Sequence, residues 1–369
     1  MKFVISTKPL KSVTSLGIIK ANITKHDHRS HIVQLTATSD TLKINIEATS
    51  IKTRMLLHGS GDSEGPVTII VDCARFKALL DSIENDIITL EFADGALYVH
   101  AGTSKFAIPQ VFDARDAQLN EPIDEYSFEG TAAIKPANWQ FIKEHQLYAI
   151  ATKEERPVYR NVWVGKDHDV IVGNMDIGMF TFSKKSDFDN TCLLPLSLVN
   201  LFAAIPEGAT ISKFGRSYVL SINTDSYSLI TEFVPKYEDD ESVGSYKADI
   251  ILNKAVHPAA YITVDVGPLI KFIGQTSIFR DSDQDKAMQF NVAKGKLTLS
   301  NKSNSYTAMV SNDVTCELLF NIDLFKSVIS NFDSDKINIA PVLGEEGKAV
   351  GCQFWTDDLT AVLAGATLV

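Results

Sequence analysis

The sequence predicts an α+β protein of three similar domains, each made of two β-α-β-β halves. Three observations predict this class: a strand-helix-strand pattern occurs three times, its helices are short and amphipathic, and polar stretches separate the copies. With 369 residues the chain is too long for one compact core, since domains usually run ~100 to 200 residues. Short helices and many strands favour helices on one face of antiparallel sheets. The predicted domains are residues 1–122, 123–247 and 248–369.

The stronger part of the repeat is an apolar strand, a short helix and a second strand. Each helix has apolar residues at positions i, i+3, i+4 and i+7, which form one buried face. The alternation after each helix, as in Ile88-Thr89-Leu90, indicates a strand with one covered face. The copies are 67–92, 191–214 and 316–339, and their helix faces are Phe76, Leu79, Leu80 and Ile83; Leu198, Leu201, Phe202 and Ile205; and Phe325, Val328, Ile329 and Phe332.

A weaker unit precedes each copy and supplies the other half of each predicted domain. It again reads as a strand, a helix and further strands. The domain boundaries fall in the polar stretches 113–122 and 236–244. The weaker units are Lys2–Ile5 with Leu10, Val13 and Leu16; Ala132–Ile134 with Trp139 and Ile142; and Tyr261–Val264 with Leu269, Phe272 and Ile273.

Composition limits the classes of function. Apolar residues make up 45% and charged residues 22%, which is typical of a globular chain. The chain has no apolar signal segment and no apolar run long enough to cross a bilayer, so we expect a soluble cytoplasmic protein with no membrane partner. The four cysteines, Cys73, Cys192, Cys316 and Cys352, lie far apart in the sequence, which favours a reducing compartment over a disulfide scaffold or a zinc cluster.

The formal net charge of −11 bears on nucleic-acid binding. Phosphate binding depends on basic surface, so this balance disfavours a protein that binds nucleic acid over its whole surface. A small basic patch on an acidic body remains compatible with the sequence. The distribution of the charges is therefore the feature to examine in the structure.

One short motif resembles a nucleophile site. Residues 61–65 fit the G-x-S-x-G pattern, which would make Ser63 the nucleophile of a hydrolase. That pattern needs a helix directly after the serine, whereas Pro66 and an apolar strand follow here. Because a cluster of Gly, Ser and Asp is typical of a turn, we interpret the segment as a hairpin loop. A hydrolase that uses Ser63 stays an alternative, although we expect no enzyme activity.

Two polar clusters could bind a metal ion. His26, His28 and His31 lie close together, but no further ligand accompanies them, so we interpret them as a solvated loop. The acidic run 238–241 is interpreted as a solvated linker rather than an acid–base site. The sequence has no P-loop, dinucleotide fingerprint or metalloprotease motif. We therefore expect no metal and no cofactor.

Several longer segments carry a resemblance that spans almost the whole chain, from Met1 to Leu368. In the predicted first domain, residues 64–68 lead into the Arg75-Phe76 helix, and residues 100–108 are similar to the pattern R-S-G-x-S-x-F-x-L. In the second, residues 156–162 and 233–237 are similar to R-P-V/Y-L-x-G-V and F-P-x-Y. In order and spacing these segments resemble the bacterial DNA polymerase III beta subunit, the sliding clamp.

The resemblance implies a DNA clamp fold, in which antiparallel sheets lie outside and helices line a central channel. It also implies a non-enzymatic head-to-tail homodimer that closes into a ring around double-stranded DNA and tethers a replicative polymerase. Such an interface forms a ring if its rotation closes. Basic residues on the helices would then contact phosphates without reading sequence. The positions that the resemblance assigns to DNA are Lys20, Lys25, Arg29, Arg75, Lys77, Lys143, Arg156, Lys271 and Lys326.

The resemblance also assigns a dimer interface. The strand with Phe106 and Ile108 would meet a helix of the partner's third domain, which corresponds to residues 269–279 here. Ile278 and Phe279 are the expected contacts on that helix. The same four residues could instead belong to the core of one chain.

A pocket for linear peptides of the polymerase, the clamp loader and other clamp-motif proteins is the last implied site. The sequence departs from the family here: the family's V-M-P-M-R-L tail is replaced by residues 363–369, and its T-D-G-H-R-L by residues 175–180. Met and Phe still favour a soft apolar groove. The assigned pocket residues are Tyr159, Met175, Ile177, Met179, Phe180, Pro235, Val362, Leu363, Ala364, Gly365 and Ala366.

These departures leave the choice of partner open and suggest a divergent clamp, carried by a phage with its own replication proteins. A cytoplasmic, nucleoid-associated location would accompany that function. The main alternative is a β-rich structural or assembly protein, such as a virion component, that uses the same repeats without encircling DNA.

Overall fold

The computed structural model contains seven α-helices in the described part of the chain. Helix ends follow the sequence: Asp72 accepts a hydrogen bond from the Arg75 amide, and Asn321 accepts from the amides of Asp323 and Leu324. The helices are α1 (Thr7–Ser15), α2 (Cys73–Ser82), α3 (Pro136–His145), α4 (Leu196–Phe202), α5 (Ala248–Lys254), α6 (Val266–Ile278) and α7 (Ile322–Ser330). The described residues are 1–15, 31–48, 51–111, 119–120, 122, 130–150, 157–188, 191–205, 208–215, 217–234, 248–254, 256–278, 286–302, 304–310, 314–344 and 346–366.

The described residues also form twenty-five strands, and every strand pair among them is antiparallel. The first thirteen are β1 (Lys2–Ser6), β2 (Ile32–Ala37), β3 (Thr41–Ala48), β4 (Ile51–His58), β5 (Ser60–Gly61), β6 (Val67–Asp72), β7 (Ile87–Ala93), β8 (Ala96–Ala101), β9 (Ser104–Pro109), β10 (Gly130–Ala133), β11 (Asn161–Val164), β12 (Val170–Asn174) and β13 (Met179–Ser183). The others are β14 (Cys192–Pro195), β15 (Thr210–Phe214), β16 (Ser217–Asn223), β17 (Tyr227–Phe233), β18 (Ile262–Asp265), β19 (Ala287–Ala293), β20 (Lys296–Asn301), β21 (Asn304–Met309), β22 (Cys316–Asn321), β23 (Lys336–Leu343), β24 (Ala349–Trp355) and β25 (Thr360–Ala364).

The chain divides into two compact units, Met1–Ala137 with Ser197–Lys236 and Asn138–Leu196 with Tyr237–Val369. The first unit holds a five-stranded sheet, β5-β1-β7-β8-β9, and an eight-stranded sheet, β10-β15-β16-β17-β4-β3-β2-β6. The second unit holds an eight-stranded sheet, β14-β11-β12-β13-β25-β24-β23-β18, and a four-stranded sheet, β21-β20-β19-β22. The predicted α+β class with antiparallel sheets is therefore confirmed.

The threefold compound pattern is also present. Its copies are β6-α2-β7, β14-α4-β15 and β22-α7-β23, and the weaker units give β1-α1, β10-α3 and β18-α6. The helix faces pack as their periodicity predicts: Phe76, Phe202 and Phe325 are all 0% exposed. Burying a Phe side chain contributes ~1.5–3 kcal/mol, so these faces attach the short helices to the sheets.

Both large sheets join strands that are distant in sequence. In the first unit, β17 pairs with β4 from Tyr227↔Leu57 to Phe233↔Ile51. In the second, β13 pairs with β25 from Met179↔Leu363 to Phe182↔Thr360. Each sheet thus combines strands from two of the predicted domains, and the boundaries at 122 and 247 stay a prediction.

Candidate functional site

The second unit contains an open apolar groove with a volume of about 240 Å³. Strands β13, β24 and β25 supply its floor, and α5 and the strand β23 supply further side chains. None of the ten residues that line it is charged. We call it the apolar groove; its residues are Met175, Gly178, Phe180, Ile251, Val342, Val350, Gly351, Val362, Leu363 and Ala364.

A buried cluster supports the groove from below. Tyr159 is 0% exposed and meets Phe180 edge-on, with ring centroids 6.2 Å apart. Trp163 and Ile251 belong to the same cluster, and Met175 packs against it. Because Phe180 and Ile251 line the groove and also pack in this cluster, the surface that a ligand would meet is held by the core.

Two glycines let the backbone approach closely at the groove wall. Gly178 has φ +59°, and a Cβ there would lie 2.5 Å from the Cβ of Ala364. A Cβ on Gly351 would lie 2.5 Å from the carbonyl oxygen of Leu363. A side chain at either position therefore requires the wall to shift.

Five of the predicted pocket residues line the groove: Met175, Phe180, Val362, Leu363 and Ala364. Tyr159 lies beneath it, and Met179 is 3% exposed on the opposite face of β13 from Phe180, because alternate strand residues face opposite ways. Ile177, Gly365 and Ala366 lie outside the lining, and Pro235 is outside the described residues. The five residues that the sequence analysis missed are Gly178, Ile251, Val342, Val350 and Gly351.

The segment after β25 is held by backbone hydrogen bonds. The Gly365 amide donates to Val350 O at 3.0 Å, and Ala366 exchanges two hydrogen bonds with Leu319 of β22, at 2.8 and 3.0 Å. A Cβ on Gly365 would lie 3.0 Å from the Phe320 ring, so glycine suits this position. These contacts give Gly365 and Ala366 a structural role beside the groove rather than a place in its lining.

A polar cleft of about 330 Å³ lies at the other end of the β13–β25 pair. Lys185 donates to Asp358 at 2.7 Å, and His257 stacks on Trp355 with ring centroids 4.9 Å apart. Burial lowers the pKa of His257, and Asp357 opposes that shift. We call this the polar cleft; its residues are Phe182, Ser183, Lys184, Lys185, His257, Asp357, Asp358, Leu359 and Thr360.

Positive charge is concentrated on the helices. The seven described α-helices contain eight Lys or Arg residues and four Asp or Glu residues, whereas the whole chain has a net charge of −11. Of the predicted DNA positions, Arg75, Lys143, Lys271 and Lys326 are exposed on helices. Lys77 is partly buried and pairs with Asp81 at 3.0 Å. Lys20, Lys25, Arg29 and Arg156 are outside the described residues.

Strand β9 is the last strand of the five-stranded sheet. Phe106 lies opposite Val99 on the core-facing side of this sheet, yet it is 41% exposed. Ile108 is 4% exposed in the core of its own chain and has almost no surface to offer a partner. On the other predicted side, Ile278 ends α6, and Phe279 is outside the described residues.

Hydrogen bonds tie the outer face of this edge strand to the neighbouring strands. Lys105 donates to Glu91 at 2.9 Å, and His100 lies 2.7 Å from the same carboxylate oxygen. The hydrogen bond from Lys105, and to a smaller extent that from His100, lowers the pKa of Glu91 to about 2. The outer face of β9 is thus polar and paired, whereas its core-facing Phe106 is uncovered.

The segment around Ser63 is a loop, but the prediction of a hairpin was wrong. Strand β5 pairs with β1 in the five-stranded sheet, whereas β6 pairs with β2 in the eight-stranded sheet, so the loop connects two sheets. The Ser63 hydroxyl donates to Gly65 O at 2.9 Å, and a strand rather than a helix comes next. This geometry lacks the strand-to-helix turn of a hydrolase nucleophile.

The remaining alternatives fall largely on residues that are not described. His26 and His28 lie outside the described residues, as does the acidic run 238–241. Within the described residues, no group of three or more His, Cys, Asp or Glu side chains is placed to hold a metal ion. No helix in the same part of the chain is both long and apolar enough to cross a membrane.

Solved structures with the same arrangement of strands and helices identify the architecture. A putative DNA polymerase III beta subunit from Eubacterium rectale aligns over 100% of both chains, with a TM-score of 0.78 and 13% identity. The beta subunit from Thermotoga maritima also aligns over 100% of both chains, with a TM-score of 0.77 and 14% identity. The chain has the DNA clamp fold.

Other clamp-fold structures were determined with bound molecules. The beta clamp of Helicobacter pylori was solved bound to a DNA ligase peptide. It aligns over 100% of both chains, with a TM-score of 0.71 and 13% identity. No family model matches the sequence, and no curated protein matches it either. The low identity is consistent with a divergent form of the clamp fold.

Proposed function

We propose that the protein is a DNA sliding clamp: a non-enzymatic homodimeric ring that encircles double-stranded DNA and tethers a replicative polymerase. The observation that carries the proposal is the full-length match of the clamp fold to DNA polymerase III beta subunits. The apolar groove adds support, since a groove without charged residues suits the apolar side chains of a peptide. Clamp-loader and other clamp-motif proteins would use the same groove.

The proposed ring closes head to tail through the outer strands of two sheets. Strands β9 and β21 are the last described strands of the five-stranded and four-stranded sheets. An exposed strand edge presents unpaired backbone groups, and pairing it with a second chain satisfies them. A partner that covers β9 would also cover Phe106, which supports a heterologous interface of this kind.

The proposed contact with DNA is electrostatic and independent of sequence. Exposed Arg75, Lys143, Lys271 and Lys326 would face phosphates, while the net charge of −11 would disfavour DNA binding elsewhere on the protein. Such contacts weaken steeply with salt, so retention on DNA would depend on the closed ring. The protein would act in the cytoplasm at the nucleoid, and a phage origin would suit its altered tail.

The test is polymerase processivity on a primed circular template, with and without a clamp loader. We expect longer products when the clamp is loaded, and loss of bound clamp when the circle is cut. The particle should have twice the chain mass of 40.6 kDa. A monomer at micromolar concentration, or retention that does not change on linearisation, would contradict the proposal; large open assemblies would favour a structural protein.

A substitution in the edge strand β9 tests ring closure without altering the apolar groove. Phe106→Asp adds a charge to the uncovered apolar side of β9, so we expect monomers that no longer stay on circular DNA. Glu64→Lys, which changes an exposed residue in a loop, is the control and should leave the dimer intact. Equal behaviour of the two variants would argue against an interface at β9.

A further inference from the structure

Two of the four buried cysteines lie together in the second unit, although 35 residues separate them in sequence. Cys316 begins β22 of the four-stranded sheet, and Cys352 lies in β24 of the eight-stranded sheet. The two strands pack against each other, and the two cysteines are 4% and 0% exposed. Each thiol is therefore enclosed in the region where β22 of one sheet packs against β24 of the other.

The two sulfur atoms are hydrogen-bonded. The Cys352 thiol donates to the sulfur of Cys316 and lowers the pKa of Cys316, while burial raises the pKa of Cys352. A sulfur that accepts such a bond gains thiolate character, and the thiolate is the form that attacks a disulfide. Cys73 provides a contrast, since burial raises its pKa to about 12.

The pair lies directly behind the apolar groove. Cys352 follows Gly351, which lines the groove, and it pairs across the sheet with Leu363, which also lines it. Strand β22 reaches the same wall through Leu319, which bonds to Ala366. A covalent link between β22 and β24 would thus join the small sheet to the wall of the groove.

We propose that Cys316 and Cys352 are a redox pair that forms a reversible disulfide with a low-molecular-weight disulfide as oxidant. The Cys316 thiolate attacks one sulfur of the oxidant and releases one small thiolate, which leaves a mixed disulfide on Cys316. Cys352 then loses its proton and attacks the Cys316 sulfur, and the second small thiolate leaves. Two protein thiols lose two electrons and two protons, and the small disulfide becomes two thiols.

The link should make unfolding harder. It closes a loop of 35 intervening residues, and restricting such a loop in the unfolded chain raises the unfolding midpoint by about 5 °C. Both thiols are almost fully buried, so the oxidant reaches them through local opening of the sheets. Oxidation should accordingly accelerate in dilute urea.

The experiment treats the native full-length protein with oxidised glutathione, unfolds it, alkylates it and measures its mass. We expect two alkyl groups instead of four, and a crosslinked peptide that contains residues 316 and 352. Cys352→Ser should abolish the crosslink and leave glutathione attached to Cys316, whereas Cys73→Ser should keep the crosslink.

Four alkylated thiols after oxidation, or a crosslink that persists in Cys352→Ser, would overturn the proposal. If the serine variants fail to fold, the unaltered protein alone tests the proposal. Absence of the crosslinked peptide after its oxidation would also overturn the proposal. This test requires neither DNA nor polymerase, so it succeeds or fails independently of the proposed clamp function.

Discussion

The apolar groove and the polar cleft lie at opposite ends of the same two strands, yet they differ in chemistry. Near the Met179↔Leu363 pair the lining is uncharged, whereas near Phe182↔Thr360 two lysines, two aspartates and a histidine converge. Water hydrates the charged groups of the polar cleft, whereas contact between water and the apolar groove is unfavourable in free energy. Of these two sites, only the groove exposes an apolar surface of the kind that a binding partner covers.

The largest expected effect comes from a charge placed in the groove. Ala364 is exposed and lines the groove, so Ala364→Asp should fold normally. Covering its carboxylate with an apolar ligand is costly, and we expect binding at least about 100-fold weaker. Fluorescence anisotropy of a labelled, uncharged peptide rich in Leu and Phe measures this.

The matching change at the other end is Lys184→Ala in the polar cleft, where the lysine side chain is 67% exposed. It should leave the affinity for the same peptide unchanged. If both variants weaken peptide binding equally, the groove is not the specific binding site for the peptide. Polymerase stimulation on the primed circle should follow the same order.

The next largest effect tests the close approach in the groove wall. Gly178→Ala places a Cβ against Ala364 in a left-handed backbone conformation, so we expect a loss of about 1–3 kcal/mol in the free energy of unfolding. Gly95→Ala is the control, because φ is +67° there and no atom lies within 4 Å of the added Cβ. Urea unfolding should show the larger loss for Gly178; equal losses would mean that the wall adjusts without cost.

A smaller effect concerns pH and separates the two ends again. Because the pKa of His257 is lowered in the fold, the unfolded chain binds the proton more readily. The stability contributed by neutral His257 is present above its unfolded pKa of ~6.5 and decreases as the pH falls through the folded value. Urea unfolding between pH 8 and 5 should show this decrease for the native chain and not for His257→Asn.

Peptide binding in the groove should not follow that titration, since no lining residue ionises in this range. Asp357 is the charged group that acts on His257, and the Thr360 hydroxyl lies 3.1 Å from its Nε2. Lys184, Lys185 and Asp358 line the same cleft. A peptide affinity that changes with the titration of His257 would show that the two ends are coupled through β13 and β25.

The smallest effect is expected for the ion pair of the cleft. The side chains of Lys185 and Asp358 are 27% and 63% exposed, and exposed pairs contribute ~0–1 kcal/mol. Asp358→Asn should therefore change the free energy of unfolding by less than about 0.5 kcal/mol, and by even less at high salt. A loss of several kcal/mol in urea unfolding would instead identify the cleft as a structural centre.

Helices were the most predictable elements, because each depends on residues within a few positions of one another. The spacing of Phe325, Val328 and Ile329 placed α7 correctly, and the structure buries all three. Part of the groove was also predicted, because the resemblance to clamp sequences assigned Met175, Phe180 and Val362–Ala364 to a peptide pocket.

The rest of the groove could not be predicted because it depends on pairing between distant strands. Val342 and Val350 flank the turn between β23 and β24, and only the position of that hairpin beside β25 brings them to the groove. Ile251 comes from a short helix with no periodic signal of its own. The sheet change at Ser63 was missed for the same reason, since turn composition does not specify which strands pair.

The sequence by itself determined the α+β class, the repeated strand-helix-strand units and their buried faces, since these arise from the local alternation of apolar and polar residues. Tertiary structure alone decided which strands share a sheet, which residues of α5, β23 and β24 complete the apolar groove, and the hydrogen bond between Cys316 and Cys352. The physical reason is that periodicity records which face of an element is covered, whereas the identity of the covering element depends on contacts across the whole chain.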